Sequence, residues 1–183
     1  KSEKKFYASD EFKLYLDYGE TFCSVPYFQG LSTIKYLKDL KWIDNDAIFI
    51  NGNTGDFISG GHIPQIKISK SKKINSRLLF NKVIDVHFNK HYALWNSLIS
   101  EKNKEIIRKL LITQIQKNSY NIDNKFIPQG IAEFLEYENR QSKFVNNSQR
   151  LFEARGLGWY LPLWDKSFIE FWSGVPLKYK INQ

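Results

Sequence analysis

The chain of 183 residues has no methionine and a single cysteine, Cys23. A translated reading frame begins with Met, so the chain reads as processed, trimmed or part of something longer. One thiol cannot close an internal disulfide, which excludes a disulfide scaffold and points to a reducing compartment. No run of 18 apolar residues occurs, which excludes a membrane-spanning helix. Residues 1–10 hold no hydrophobic signal core. A cytoplasmic protein is the expectation. Glycine and proline are sparse, at 10 and 5, and apolar residues make up 42% of the chain, so collagen and disorder are excluded as well. Internal repeats and low-complexity linkers are also lacking. What is abundant is aromatic: 14 Phe, 10 Tyr and 5 Trp, enough for one ordinary core.

Acid is the scarcer charge, 19 Asp and Glu against 27 Lys and Arg. Between Asp56 and Asp85 it is absent, while Lys67, Lys70, Lys72, Lys73, Arg77 and Lys82 accumulate. Such a block can meet phosphates, nucleic acid or a membrane surface, but lysine runs are more often simply solvated. Aromatics are not interleaved with these lysines, so base stacking is poorly supported and nucleic acid is not the expected partner.

Residues 1–8 read as a tether. Ser9, Asp10 and Glu11 mark a helix start, but Phe12, Leu14, Leu16 and Tyr18 alternate, leaving helix or strand open. Leu31, Ile34, Leu37 and Leu40 predict a helix over 29–40. Ala47-Ile48-Phe49-Ile50 is short and wholly apolar, as in a parallel strand covered on both faces. Helical spacing follows at 76–87, 91–99, 103–117 and 128–155. Pro128 suits the start of the long helix and Gly156 its end. Asp165 is placed to cap a last helix carrying Phe168, Ile169, Phe171 and Trp172. The chain is therefore expected to be predominantly α-helical with one or two short strands, at Ala47 to Asn51. It divides into an α/β part with a Gly-rich loop, 1–61, and a mainly helical part, 62–183. One buried strand does not complete a parallel sheet.

Several constellations could carry chemistry. After the apolar run come Asn51-Gly52-Asn53-Thr54-Gly55-Asp56, then Gly60-Gly61-His62. Small residues let backbone amides approach an oxyanion, and a carboxylate among them suggests Mg²⁺ on phosphates. A plain strand-to-helix turn capped by Asp56 explains the same residues. Ser59-Gly60-Gly61 is not an S-G-G-x-D-S pyrophosphate loop, because Ile63 and Pro64 stand at its Asp and final Ser. His87 and His91 share a helix face and two imidazoles at that spacing can bind zinc. Phe88 replaces the Glu of the zinc-protease pattern, no third ligand is marked, and Asp85 lies off the shared face. Two partly exposed structural histidines are the expectation. Cys23 reads as a small buried hydrophobe. Glu136, Glu138, Arg140, Gln141, Asn146 to Gln149 and Arg150 form a long polar stripe that must face water or a site.

Two segments taken together resemble a known family. Residues 50–62 are similar to the L-S-G-x-G-x-D-x-x-x-G-G-Y loop of the asparagine synthetase family. About 90 residues later, Gln149-Arg150, Leu161-Pro162-Leu163-Trp164-Asp165, Phe168, Phe171, Pro176, Tyr179 and Lys180 resemble that family's D-R…R-x-P-F-L-D…F…P-x-x-Y-K stretch. The β-lactam synthetases, a branch of that family, look similar around Gly55-Asp56 and Trp164-Asp165. The resemblance covers roughly residues 20–181. It implies an α/β ATP-pyrophosphatase fold with a Rossmann-like parallel sheet, and ATP and Mg²⁺ as cofactors. It also implies an AMP-forming amide ligase that adenylates a small-molecule carboxylate, releases pyrophosphate and admits ammonia or an amine. By the match, Gly52, Asn53, Thr54, Gly55 and Asp56 form the nucleotide loop, Asp56 is a Mg²⁺ ligand, and Gly60 and Gly61 support it. Arg150, Arg140 and Glu138 are substrate or anion candidates, with Arg150 alternatively an anchor.

The departures are specific. Asn53 stands where the family has Glu, Thr54 where it has its second loop Gly, and Phe57 where it has the Glu after the Asp. Gln149 replaces the Asp of D-R, and Tyr160 the Arg of R-x-P. These losses point away from asparagine synthesis toward another carboxylate substrate. The S-G-G-x-D-S loop is missing, so the chain reads as a portion that works with an N-terminal synthetase half or a glutaminase subunit; a homodimer stays open. The alternative is a non-catalytic module on a decayed synthetase fold, binding an anionic partner.

Overall fold

The computed structural model describes residues 2–19, 27–64, 76–92, 97–118 and 128–180. Cys23, the lysines at 67, 70, 72 and 73, and the side chain of Arg77 lie outside the described residues, and with them the readings of a buried thiol and a solvated basic loop. Among the described residues the protein is mostly helical, with two short parallel strands. It divides into two compact units, one made of 1–61 with 139–183 and the other of 62–138.

In the first unit the N-terminal residues are not a tether. They form α1 (Ser2–Tyr7), followed by α2 (Asp10–Gly19) and α3 (Leu31–Asp39). Aromatic packing explains the extra helix: Phe6 and Tyr7 meet Phe12 edge-on or tilted, and Tyr7 and Phe12 both meet Phe28. Ser9 accepts the amide of Phe12, which favours helix over strand for the alternating stretch. Leu31 and Ile34, the inner face of α3, pack with Tyr15, Leu151, Phe152 and Leu157 in one apolar cluster.

Strand β1 (Ile48–Ile50) pairs in parallel with β2 (Gly158–Tyr160), Phe49 opposite Trp159. The expectation of a strand covered on both faces is corrected. Ile48 and Ile50 are 67% and 74% exposed, and only Phe49 turns inward, stacked on Phe152 at 4.4 Å. Among the described residues no layer covers the outward pair. After β1 the chain turns into α4 (Gly55–Ile58). The stretch before β2 passes through α8 (Arg150–Glu153), and Gly156 at φ +67° ends it. After β2 come a 3₁₀ turn (Pro162–Trp164), α9 (Lys166–Gly174) and a second 3₁₀ turn (Leu177–Tyr179). Asp165 caps α9, accepting the amides of Ser167 and Phe168 and the Ser167 hydroxyl. Those hydrogen bonds, the Ser167 side chain foremost, hold its carboxyl below the ordinary value.

The second unit is a helical hairpin set. The helix expected at 76–87 is α5 (Ser76–Tyr92), which extends through His91; of the one expected at 91–99, residues 93–96 lie outside the described residues and 97–99 are turn and coil. It packs with α6 (Glu101–Lys117) and α7 (Pro128–Glu136) around Phe80, Val83, Ile84, Leu111, Ile115, Ile131, Ala132 and Leu135. Ser100 caps α6 by accepting the Asn103 amide. The single long helix expected over 128–155 changes winding instead: α7 runs into a π-helical stretch (Tyr137–Val145), then a 3₁₀ turn (Asn147–Gln149), then α8. π-Helical turns are rare and often accompany function.

Candidate functional site

The Gly-rich segment is held as a defined turn. The Asn51 amide extends the strand ladder by donating to Tyr160 O at 3.0 Å. The Asn51 side chain accepts the Asn53 amide at 3.1 Å, a self-capping Asx arrangement. Gly55 N donates to Gly52 O at 3.3 Å. Thr54 adopts φ +83°, left-handed backbone that disfavours a β-branched residue. It is also 97% buried, and its hydroxyl donates to Gln141 Oε1 at 3.4 Å. Asp56 is exposed in the first turn of α4, with Oδ1 accepting the Phe57 amide at 2.9 Å.

Residues more than 90 positions away in sequence close around this turn, within the same unit. Gln149, buried, accepts from the Asn51 amide group at 3.5 Å and itself donates to Ser148 and Val145. A Cβ on Gly55 would stand 2.9 Å from Leu163, and one on Gly60 would stand 2.4 Å from the Lys180 carbonyl. Gly61 lies against the Asp56 carbonyl. The glycine run therefore lets the 52–61 turn approach the 161–180 segment at backbone distance. Beside Gly52 there is open space. The polar stripe turns inward: Gln141, Ser148 and Gln149 are buried, so this helix end faces protein rather than water.

The remaining candidates are placed elsewhere. Glu138 and Arg140 lie, half-buried, in the π-helical stretch. Arg150 has the contacts of an anchor: its guanidinium lies 4.3 Å over the Tyr18 ring, and its Nε is 3.8 Å from Glu153, which accepts the Tyr18 hydroxyl.

The second unit holds a cluster that sequence reasoning did not assemble. All three histidines of the chain converge on Glu136. His62 Nδ1 lies 2.6 Å from Oε1, His91 Nε2 lies 2.8 Å from Oε2, and Lys90 Nζ is 3.2 Å from Oε2. The His87 ring is 4.4 Å from that of His91. The expectation of two partly exposed structural histidines is corrected for His87, which is 95% buried; Glu136 is 98% buried. The reason lies in the heptad-like stripe of α5: Phe80, Val83, Ile84, His87 and His91 occupy one face, so the histidines continue the core stripe. Burial alone would raise the Glu136 pKa, but hydrogen bonds to His62 and His91 and the nearby His91 and Lys90 charges outweigh it and hold the carboxyl well below its usual range. The i, i+4 histidine spacing is the sequence signal for half of this cluster. Glu136, 45 residues on and on another helix, had none.

No protein-family model matches the chain, and no curated protein or solved structure matches it.

Proposed function

We propose that the chain supplies one side of the nucleotide site of an ATP-dependent, AMP-forming amide ligase resembling the asparagine synthetase family. One observation carries this reading: the two motif segments, remote in sequence, adjoin through the parallel β1–β2 pair, the Asn51–Tyr160 hydrogen bond and the Gly60–Lys180 contact. Ligands of open parallel sheets bind beyond the carboxyl ends of the strands, and both Asn51 and Leu161 follow such ends. The left-handed Thr54 stands where the family has a glycine, the residue that such a backbone conformation favours, which supports the reading.

In this reading the Asn51–Asp56 turn lies along the phosphates, and the open space beside Gly52 admits them. The Asp56 carboxylate, exposed at the turn, is the residue that would hold Mg²⁺, and the ion would supply charge neutralisation for pyrophosphate release. The Gln149–Asn51 and Gln141–Thr54 hydrogen bonds fix the turn before substrate arrives, which is what electrostatic preorganisation requires. The substrate is a small-molecule carboxylate and the nucleophile ammonia or an amine. The outward Ile48 and Ile50 leave one face of the sheet uncovered, the surface on which helices of a partnering synthetase half would pack.

The test is ATP–pyrophosphate exchange by the intact gene product over a panel of carboxylic acids. Exchange is expected, and Asp56→Asn lowers it by at least about a hundredfold. An intact product that neither exchanges pyrophosphate nor binds Mg·ATP overturns the reading. Two positions favour a second one, a non-catalytic module with an anionic partner: Phe57 and Gln149, where the family has acids, are 94% and 99% buried and neutral. It requires salt-dependent binding of an anionic polymer without exchange.

A further inference from the structure

The apolar stripe between α5 and α7 ends in groups that do not belong in a hydrophobic interface. On α5 the sequence Phe80, Val83, Ile84 is continued by His87 and His91; on α7, Ile131, Ala132 and Leu135 are followed by Glu136. Burying the His87 imidazole and the Glu136 carboxylate costs several kcal/mol unless each is satisfied, as Glu136 is by His62, His91 and Lys90. Leucines at these positions would extend the core with no such cost. Every histidine of the chain gathers at the one buried acid of this interface, a donor set that also suits a metal ion.

The donor set fits a transition-metal ion. The ligand atoms of His87, His91 and Glu136 all lie within 4.8 Å of one another. Tetrahedral zinc with bonds near 2.0 Å needs ligand atoms about 3.3 Å apart, so the set has to draw in by no more than about 1.5 Å. His87 and His91 are one turn apart on a helix fixed by core packing, which presents two imidazoles as rigid neighbours. The carboxylate arrives from α7, and its other oxygen is held by His62 at 2.6 Å. A hydrogen-bonded outer partner of this kind orients a ligating carboxylate. Imidazole with carboxylate suits zinc and its neighbours rather than Mg²⁺ or Ca²⁺, which prefer all-oxygen shells.

We propose that His87, His91 and Glu136 form a zinc-type metal site, with His62 as the outer partner positioning Glu136 and water completing the fourth position. Three protein ligands including two histidines and a glutamate leave that position open. The Lys90 ammonium stands where it opposes a cation, 3.2 Å from Oε2, and being 41% exposed it turns to solvent when the ion enters. The site is separate from the nucleotide-loop reading and does not depend on it.

The experiment is titration of the chelator-treated protein with ZnCl₂ by calorimetry, and with Co²⁺ by visible absorption. One ion per chain is expected, with Co²⁺ bands of a tetrahedral nitrogen–oxygen site. His91→Ala and Glu136→Ala should each lose at least about a hundredfold in affinity, and His62→Ala about 10–100-fold. Cys23→Ser should leave binding unchanged, since no thiolate takes part. Lys90→Met is the decisive variant, because it leaves all the ligands and only removes an opposing charge: zinc should bind several times more tightly. Zinc should also raise the melting temperature of the wild type and of Lys90→Met but not of His91→Ala. Where an alanine variant proves unfolded by circular dichroism, Lys90→Met and His62→Ala decide. Absence of a single-site isotherm in the wild type overturns the site. So do loss of binding in Cys23→Ser and unchanged or weaker binding in Lys90→Met.

Discussion

Two glycines with positive φ separate conformational need from steric need. Gly156 has φ +67° and nothing within 4 Å of an added Cβ, so Gly156→Ala meets only the left-handed backbone cost, roughly 1 kcal/mol. Gly60 has φ +100° and its Cβ would fall 2.4 Å from the Lys180 carbonyl, a backbone atom with no rotamer by which to yield. Gly60→Ala adds an overpacking penalty and should cost roughly 3 kcal/mol. Urea midpoints of the two variants check this, and equal losses would show that the 52–61 turn and the 161–180 segment do not meet at backbone distance. Thr54 extends the comparison. Its φ of +83° is strained for a β-branched residue, but its hydroxyl bonds Gln141. Thr54→Gly trades strain relief of about 1–2 kcal/mol against a buried hydrogen bond of about 1 kcal/mol, so its stability should stay within about 1 kcal/mol of wild type.

Among the elements, helix faces were the most legible. Leu31 and Ile34 pack inward as their spacing requires, although Leu40 of the same expected stripe lies just past α3 and is exposed; Pro128 opens α7, Asp165 caps α9 and Gly156 closes its stretch. These signals are local: three- and four-residue spacing or a single side chain acting on neighbouring amides. Failures came where long-range packing decides. Residues 2–7 carry no helical stripe, but Phe6 and Tyr7 find Phe12 and Phe28. The change from α to π winding at Tyr137 has no local residue signature. The apolar run at 48–50 reads as doubly buried, although only one strand pairs with it among the described residues. The same contrast governs the candidate sites. The Asn51–Asp56 turn is contiguous and legible, whereas Glu136 joins His62 and His91 only because α5 and α7 pack. That packing is testable in its own right. Leu135 is completely buried, so Leu135→Ala should cost about 3–5 kcal/mol, while Leu110→Ala on α6, at 64% exposure, should stay within about 0.5 kcal/mol. Chemical denaturation of both variants gives the ratio, and a mild loss at Leu135 would refute the shared core.

At the scale of the whole molecule, two buried titrating groups, one in each unit, set opposite limits on stability. Tyr15 lies in the aromatic cluster of the first unit and donates its hydroxyl to the Tyr27 carbonyl. Burial pushes its pKa up from 10.0 to about 12, only partly offset by the Arg150 charge. The folded state therefore keeps its proton to higher pH than the unfolded state. The contribution is intact below pH 10 and is lost as pH rises toward 12, by up to about 2–3 kcal/mol. Glu136, in the second unit, is shifted down from 4.5, so the unfolded state takes up its proton first. Its contribution is intact above that value and is lost progressively as pH falls below it. In chelator-treated protein, stability against urea should therefore hold a plateau at neutral pH and fall on both sides. Tyr15→Phe should flatten the alkaline limb alone and Glu136→Gln the acid limb alone. Glu136→Gln should also lower the plateau by about 3 kcal/mol, because His62, His91 and Lys90 lose the charge they surround. An alkaline limb that persists unchanged in Tyr15→Phe would mean that another group limits the fold there, and that Tyr15 titrates in the native state as it does unfolded.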